Sequence, residues 1–361
     1  MPLMEWKPRE LKHLRVLGRS TPIEPLNLFW TGSGVEFDLR GGELWAEFEA
    51  DYDDLEPWFS VLLNGHCVLR QPLERGRRWL PLLRGLDASK PHHILILRET
   101  QPMPTDRSTC LKLHALRFSG ELAPLPPPSC RIELLGDSLS SAEGALGGPQ
   151  DGEWRPIWFS AWQNYGRLCA ERLGGEVRIL TQSGWGVRSS WDNDPACNLP
   201  EYYERVCGVA PEGAKGACHQ PNDFGAWKPD VVVCALGTND RGATNQPSRL
   251  DERTNRLFKQ EKDDLQPFEN AALAFLQKLR ACNPDAYLLW MFFEEEEVVL
   301  PRLRAAMERF QAQGDARAEL FLVPMMKPSG ARFHPGGDEH LRVAERLSAK
   351  IAAILGLARP E

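Results

Sequence analysis

Four short clusters in the second half of the chain carry side chains suited to acyl chemistry. Gly136-Asp137-Ser138-Leu139-Ser140 offers a serine hydroxyl, and Ser183-Gly184-Trp185-Gly186 offers an unobstructed backbone N–H. Leu236-Gly237-Thr238-Asn239-Asp240 offers an amide, and Phe333-His334-Pro335, running on to Asp338-Glu339-His340, offers an imidazole. A serine hydroxyl is a poor nucleophile until a base accepts its proton. The tetrahedral intermediate then needs several preorganised donors around its oxyanion, and losing one typically costs about 10²–10³ in turnover. Each cluster alone also has a plainer reading. Serine or aspartate between strand and helix is a common N-cap, and Gly, Asn and Asp are turn formers. His340 suits capping or packing. The histidines His13, His66, His92, His93, His114 and His219 lie away from the clusters.

The surrounding pattern gives the clusters a common location. They follow apolar runs at Ile132–Leu135, Val177–Leu180, Val231–Leu236 and Leu320–Val323, with a further run at Tyr287–Phe293. Helical spacing is expected at Trp158, Trp162, Tyr165 and Cys169, and over roughly 267–281, 298–313 and 339–355. Strands alternating with helices predict a parallel sheet covered on both faces. In such sheets ligands bind outside the carboxyl ends of the strands, where these clusters fall. Ser138 is expected to present its hydroxyl at the sheet edge with its N–H near a helix N-terminus. His334 precedes a proline that disfavours helix, so its ring belongs to the loop at the rim.

The first third reads differently. Val35-Glu-Phe-Asp-Leu39 alternates apolar and polar, Leu44–Ala50 continues after Gly41-Gly42, and Asn64-Gly65 is a strong hairpin signal between Trp58–Leu63 and Cys67–Arg70. With further runs at His93–Leu97 and Leu111–Phe118 and no convincing helix, an antiparallel sandwich is expected. The proline-rich stretch Ala123-Pro-Leu-Pro-Pro-Pro-Ser129 is incompatible with helix and marks the boundary. Domains are therefore expected over 1–125 and 130–361.

The composition agrees and excludes alternatives. At ~150 residues per domain, 361 residues suggest two, and 42% hydrophobic residues support a packed core. A net charge of -7 removes a basic nucleic-acid footprint, and no amphipathic basic helix suggests a membrane surface. No run reaches the ~18 apolar residues that span a bilayer. Nine cysteines without CxxC pairs, behind an N-terminus without a basic and apolar leader, point to reduced thiols and a cytoplasmic location.

The order Gly-Asp-Ser138, Gly184, Gly-x-Asn239-Asp, His334-Pro resembles the SGNH (GDSL-like) hydrolase superfamily over about 130–358. That resemblance implies an α/β fold, a three-layer α/β/α domain around a parallel sheet. It also implies a nucleophile at Ser138 and a general base at His334. The oxyanion hole would be the Ser138 N–H, the Gly184 N–H and the Asn239 side chain. No GxSxG surrounds Ser138, which disfavours the α/β-hydrolase elbow. The family usually carries an aspartate three residues before the histidine. Here that position is Ala331. Either another acid, such as Asp338 or one of Glu294–Glu297, or a backbone carbonyl must orient the ring. We expect a Ser–His dyad with the Phe333 carbonyl on Nδ1.

A small, jelly-roll-like sandwich joined by prolines to such a domain is similar to carbohydrate esterase family 2. Gly18-Arg19, Phe29-Trp30-Thr-Gly-Ser33 and Asn64-Gly65 also resemble that family's pattern. The likeness implies removal of O-acetyl groups from xylo- or manno-oligosaccharides. Trp185 is expected to stack on a sugar. Trp191 and Trp227 flank the long segment 188–227, expected to wall the cleft, and Asp240 is expected to contact substrate. Cys197, Cys207, Cys218 and His219 fit no usual metal spacing, so neither metal nor other cofactor is expected. Competing readings are a short-chain lipase or thioesterase, and a noncatalytic carbohydrate-binding protein favoured only by Ala331.

Overall fold

In the computed structural model, residues 2–106, 108–209 and 216–358 are described. They divide into two compact units. The first holds the chain up to Pro128 with Glu153–Trp162 and Arg205–Asn222, and the second holds Ser129–Gly152, Gln163–Glu204 and the chain from Asp223 onward. A single cut at the proline run misses the two returning segments. Their place in the first unit has a physical cause: its buried polar groups hydrogen-bond their backbone. Trp30 Nε1 donates to Val206 O at 2.8 Å, Arg19 to Arg205 O at 2.9 Å, and Arg70 to Ile157 O at 2.7 Å. The segment 188–227 is thus shared between the units, and its residues 210–215 lie outside the described ones.

Two antiparallel sheets build the first unit. One runs Leu3–Trp6, Cys110–Ser119, Glu43–Asp51, Gly76–Arg84; the other runs Glu121–Ala123, Gly34–Arg40, His92–Arg98, Trp58–Leu63, His66–Pro72. Alternation explains their shared core. Val35, Phe37 and Leu39 are fully buried beside Leu44, Phe48, Leu113 and Leu116 of the other sheet, while Glu36 and Asp38 point away. Asn64 (φ 51°) and Gly65 (φ 83°) are both left-handed, as a two-residue hairpin turn requires.

Glu99 is a buried acid in this unit. It is fully buried, accepts the Ala161 N–H at 2.8 Å and lies 3.8 Å from Arg70 Nε. Burial pushes its carboxyl up to about 7. The folded state therefore holds this proton through a window where the unfolded chain has released it. Its contribution to stability is fully present below pH 4.5 and lost as pH rises to about 7. The swing is about 3 kcal/mol at 1.36 kcal/mol per pH unit. Urea midpoints at pH 5 and pH 8 should differ less in Glu99→Gln than in the parent, and an unchanged difference would contradict this.

In the second unit, five strands lie parallel: β1 (Arg131–Gly136), β2 (Glu176–Thr181), β3 (Val231–Ala235), β4 (Tyr287–Phe293) and β5 (Ala318–Val323), in the order β2-β1-β3-β4-β5. The helices are α1 (Tyr165–Leu173), α2 (Thr238–Ala243), α3 (Gln266–Cys282), α4 (Leu300–Gln311) and α5 (Gly337–Leu355). Strand alternation sorts the core. Val231, Val233, Leu289 and Met291 pack with Cys169 of α1 and Val343, Leu347 and Ile351 of α5. Trp290 points to the other face, edge-on to Phe275 of α3 at 6.3 Å. Helix α1 starts only at Tyr165, capped by Asn164, whose side chain accepts the Gly166 and Arg167 N–H groups. Trp158 and Trp162, expected on a helix, precede it in the segment that joins the first unit, because Asn164 favours a cap over continued helix. Among the described residues no helix is long and apolar enough to cross a membrane.

Candidate active site

The strand order reverses between β1 and β3, and the crevice at such a switch point is where open parallel sheets take ligands. Strand β1 ends at Gly136, where a Cβ would come within 2.0 Å of Ser140 Oγ, so no larger residue fits. The turn that follows is tied by Asp137, whose carbonyl accepts the Ser140 and Ser141 N–H groups at 3.1 and 2.8 Å. Asp137 Oδ1 accepts the Leu139 N–H at 3.0 Å. Ser138 stands half-buried at the top of this turn. Among the described residues neither its hydroxyl nor its N–H has a protein partner. No helix begins here, which removes the N-cap reading and also the expected helix N-terminus; residues 138–144 are turns. Burial pushes the Asp137 carboxyl up to about 7.

Beyond β2 the chain turns at Gly184 (φ 78°), a conformation glycine alone adopts freely. The Gly184 carbonyl accepts the Trp191 N–H at 2.9 Å, whereas the Gly184 N–H has no acceptor among the described residues. Two partnerless N–H groups, of Ser138 and Gly184, thus flank the end of the β1–β2 pair. Asn239 enters from the first turn of α2. Its Nδ2 donates to Trp185 O at 2.9 Å and, more weakly, to Asp137 Oδ2 at 3.3 Å. To donate to a reacting oxygen it must release the longer contact.

The histidine loop lies between β5 and α5. Arg332 (φ 54°) and Phe333 (φ 59°) are both left-handed. This curl aims the carbonyl two residues back at the ring, and His334 Nδ1 lies 2.9 Å from Arg332 O. The expected acceptor, Phe333 O, is therefore corrected to Arg332 O. A carbonyl only accepts, so Nδ1 carries the proton and Nε2 keeps its lone pair. Of the acids considered as substitutes, Asp338 accepts the Ser329 hydroxyl at 3.2 Å, Glu295 accepts the Met325 N–H at 2.8 Å, and Glu296 accepts the N–H groups of Val298, Val299 and Leu300 at the start of α4.

Three expected substrate contacts move away from the site. Trp185 is only 4% exposed and packs on Tyr202 at 4.9 Å, so its ring has no face for a sugar. Trp227 donates to Glu176 Oε1 at 2.8 Å, at the amino end of β2 and thus the opposite edge of the sheet. Asp240 is fully buried and ties the loop after Gly186, accepting the Val187 and Arg188 N–H groups at 2.8 and 2.9 Å. Trp191 does stand at the site: it is half-exposed, and its Cδ1 would lie 3.0 Å from a Cβ on Gly184. Phe333, beside the histidine, exposes 78% of its surface.

One acid escaped sequence reasoning. Glu143 is buried, accepts the Ser183 hydroxyl at 2.6 Å, pairs with the Arg332 guanidinium, and lies 4.0 Å from His334 Nε2. It sits five residues after Ser138 in a turn, and no periodicity marks it.

Serine, imidazole and free N–H donors thus follow the carboxyl ends of a parallel sheet's strands, residue types suited to acyl transfer. The chain belongs to the GDSL-like lipase/acylhydrolase family, whose pattern matches residues 134–353. Among solved structures it is similar to an acetyl xylan esterase, Est2A, from the rumen bacterium Butyrivibrio proteoclasticus, at 30% identity and a TM-score of 0.94 over 98% of this chain and 99% of that one. It is also similar to an acetylxylan esterase / glucomannan deacetylase of Cellvibrio japonicus, 22% identical over 95% of this chain and 89% of that protein. A third relative is the cellulase/esterase CelE of Acetivibrio thermocellus, 23% identical over 91% of this chain. The chain spans 37% of the length of CelE.

Proposed function

We propose that this protein is a serine esterase that removes O-acetyl groups from carbohydrates, with acetylated xylo- or manno-oligosaccharides as substrates. The observation that carries this reading is the fixed tautomer of His334, with its Nδ1–H given to Arg332 O at 2.9 Å and Nε2 left to act as base. Ser138 Oγ gives its proton to Nε2 and attacks the acetyl carbonyl. The negative charge that develops on the carbonyl oxygen is met by the Ser138 and Gly184 N–H groups and by Asn239. Collapse expels the sugar hydroxyl, protonated by the imidazolium, and leaves acetyl on Ser138. Water, deprotonated by the same imidazole, then releases acetate and restores the serine.

The carbohydrate branch is supported by the likeness to acetyl xylan esterases across nearly the whole chain. It is also supported by exposed Trp191 and Phe333, aromatic surfaces of the kind on which pyranose rings stack. In this reading the α/β unit is a three-layer SGNH domain and the two antiparallel sheets a jelly-roll-like module, as in carbohydrate esterase family 2. Acetate release from acetylated oligosaccharides, at a higher kcat/KM than from long-chain acyl esters, tests the substrate class; a preference for long chains would favour the lipase alternative. Asn239→Ala should lower kcat on p-nitrophenyl acetate by about 10²–10³ with little change in KM. An unchanged kcat would remove Asn239 from the oxyanion site.

A further inference from the structure

We propose that Glu143 and Arg332 are positioning residues for the base. Their ion pair holds Arg332 in its left-handed conformation, and so holds the Arg332 carbonyl on Nδ1 of His334. This rests on the assignment of Ser138 and His334 given above. The need for such a device follows from Ala331, which occupies the place of the usual orienting acid. A carbonyl orients a ring only as firmly as its own peptide is fixed. Here that peptide is awkward, because left-handed backbone is disfavoured for any residue with a Cβ, and Arg332 and Phe333 adopt it in succession.

Glu143 supplies the restraint and ties it to the rest of the site. Its N–H donates to Ser138 O at 3.1 Å, its Oε2 accepts the hydroxyl of Ser183 at 2.6 Å, and its Oε1 accepts Arg332 Nη1. One buried carboxylate therefore links the nucleophile turn, the residue before Gly184, and the histidine loop. The backbones are equally close. The Ala331 N–H donates to Gly144 O at 3.0 Å and the Arg332 N–H to Asp151 O at 2.8 Å. A Cβ on Gly144 would meet Ala331 O at 2.5 Å and His334 Cβ at 2.6 Å. A buried acid deprived of its partner is strongly disfavoured, so each member of the pair enforces the position of the other.

The pair also faces the nitrogen that gains the proton, since Glu143 Oε1 lies 4.0 Å from Nε2. Two titratable groups of α5 follow the histidine in sequence: Asp338, bonded to Ser329, and His340, which burial pushes down to about 3 and so keeps neutral.

The test is kcat and KM on p-nitrophenyl acetate for Glu143→Gln, Arg332→Ala, Arg332→Gly and Arg332→Lys, with thermal unfolding measured alongside. Glu143→Gln and Arg332→Ala should lower kcat ~10- to 100-fold with KM within about threefold of the parent. Glycine adopts the left-handed backbone without help, so Arg332→Gly should retain more kcat than Arg332→Ala, and Arg332→Lys should recover part of the lost kcat. The Arg332 side chain is partly exposed, so its variants carry the test if Glu143→Gln fails to fold. Parent-like kcat in Arg332→Ala, or equal losses in Arg332→Ala and Arg332→Gly, would overturn the proposal. If Ser138→Ala and His334→Ala also kept parent-like rates, the site assignment itself would fall; if those two are inactive, only the positioning role is lost.

Discussion

Ser138→Ala should be devoid of esterase activity, with kcat lowered by ~10⁴-fold or more while the protein remains folded. Both halves of the expectation follow from the environment of the hydroxyl. Ser138 stands at the rim beyond β1, and its Oγ has no protein partner among the described residues. Deleting it breaks no structural bond, so unfolding should shift by no more than about 0.5 kcal/mol, as for an ordinary surface substitution. The turn itself is held by the Asp137 carbonyl and by the glycine at 136, which the substitution leaves intact. Acetate release and thermal unfolding on one preparation check the result. A variant retaining more than about a tenth of the parent rate would exclude Ser138 as the nucleophile, since the losses expected for a nucleophile are orders of magnitude larger.

His334→Ala should be nearly as damaging, and the double variant Ser138→Ala/His334→Ala should be no worse than either single one. A nucleophile and its base act as one unit, so removing the second after the first costs little. What remains is the contribution of the oxyanion donors and substrate binding, about 10³–10⁴ over the reaction in water. Steady-state rates of the three variants measure this. Losses that multiply would mean that the two residues serve separate steps. The imidazole must be neutral to accept the serine proton. The variants are best compared at one pH, because the stability contribution of Glu99 falls as pH rises towards about 7.

The residues proposed for catalysis were legible because they sit at strand ends, where a switch from apolar run to Gly-, Asn- or Asp-rich turn is visible in one dimension. Strands β1, β3 and β4 and helices α3 to α5 were legible for the same reason, by length and periodicity. Contacts made by tertiary packing were not. Trp185 and Trp227 look like sugar platforms by composition and neighbourhood, but only packing against Tyr202 and bonding to Glu176 reveal them as buried. Asp240 follows Asn239 and looks equally available, yet two backbone N–H groups of a loop more than 50 residues away in sequence consume it. The orienting carbonyl was misplaced by one residue because two successive left-handed residues, neither of them glycine, have no sequence signature. Glu143 was invisible for the complementary reason: its partners, Ser183 and Arg332, are 40 and 189 residues distant.

The most direct test of the central claim is the covalent intermediate. The protein is mixed with an acetylated xylo-oligosaccharide, quenched in acid during turnover, digested and mapped by mass spectrometry. The account predicts one acetyl group on the peptide containing Ser138, transient in the parent and absent from Ser138→Ala. Acetate released at the parent rate with that peptide unmodified, or with the acetyl group on another residue, would contradict it.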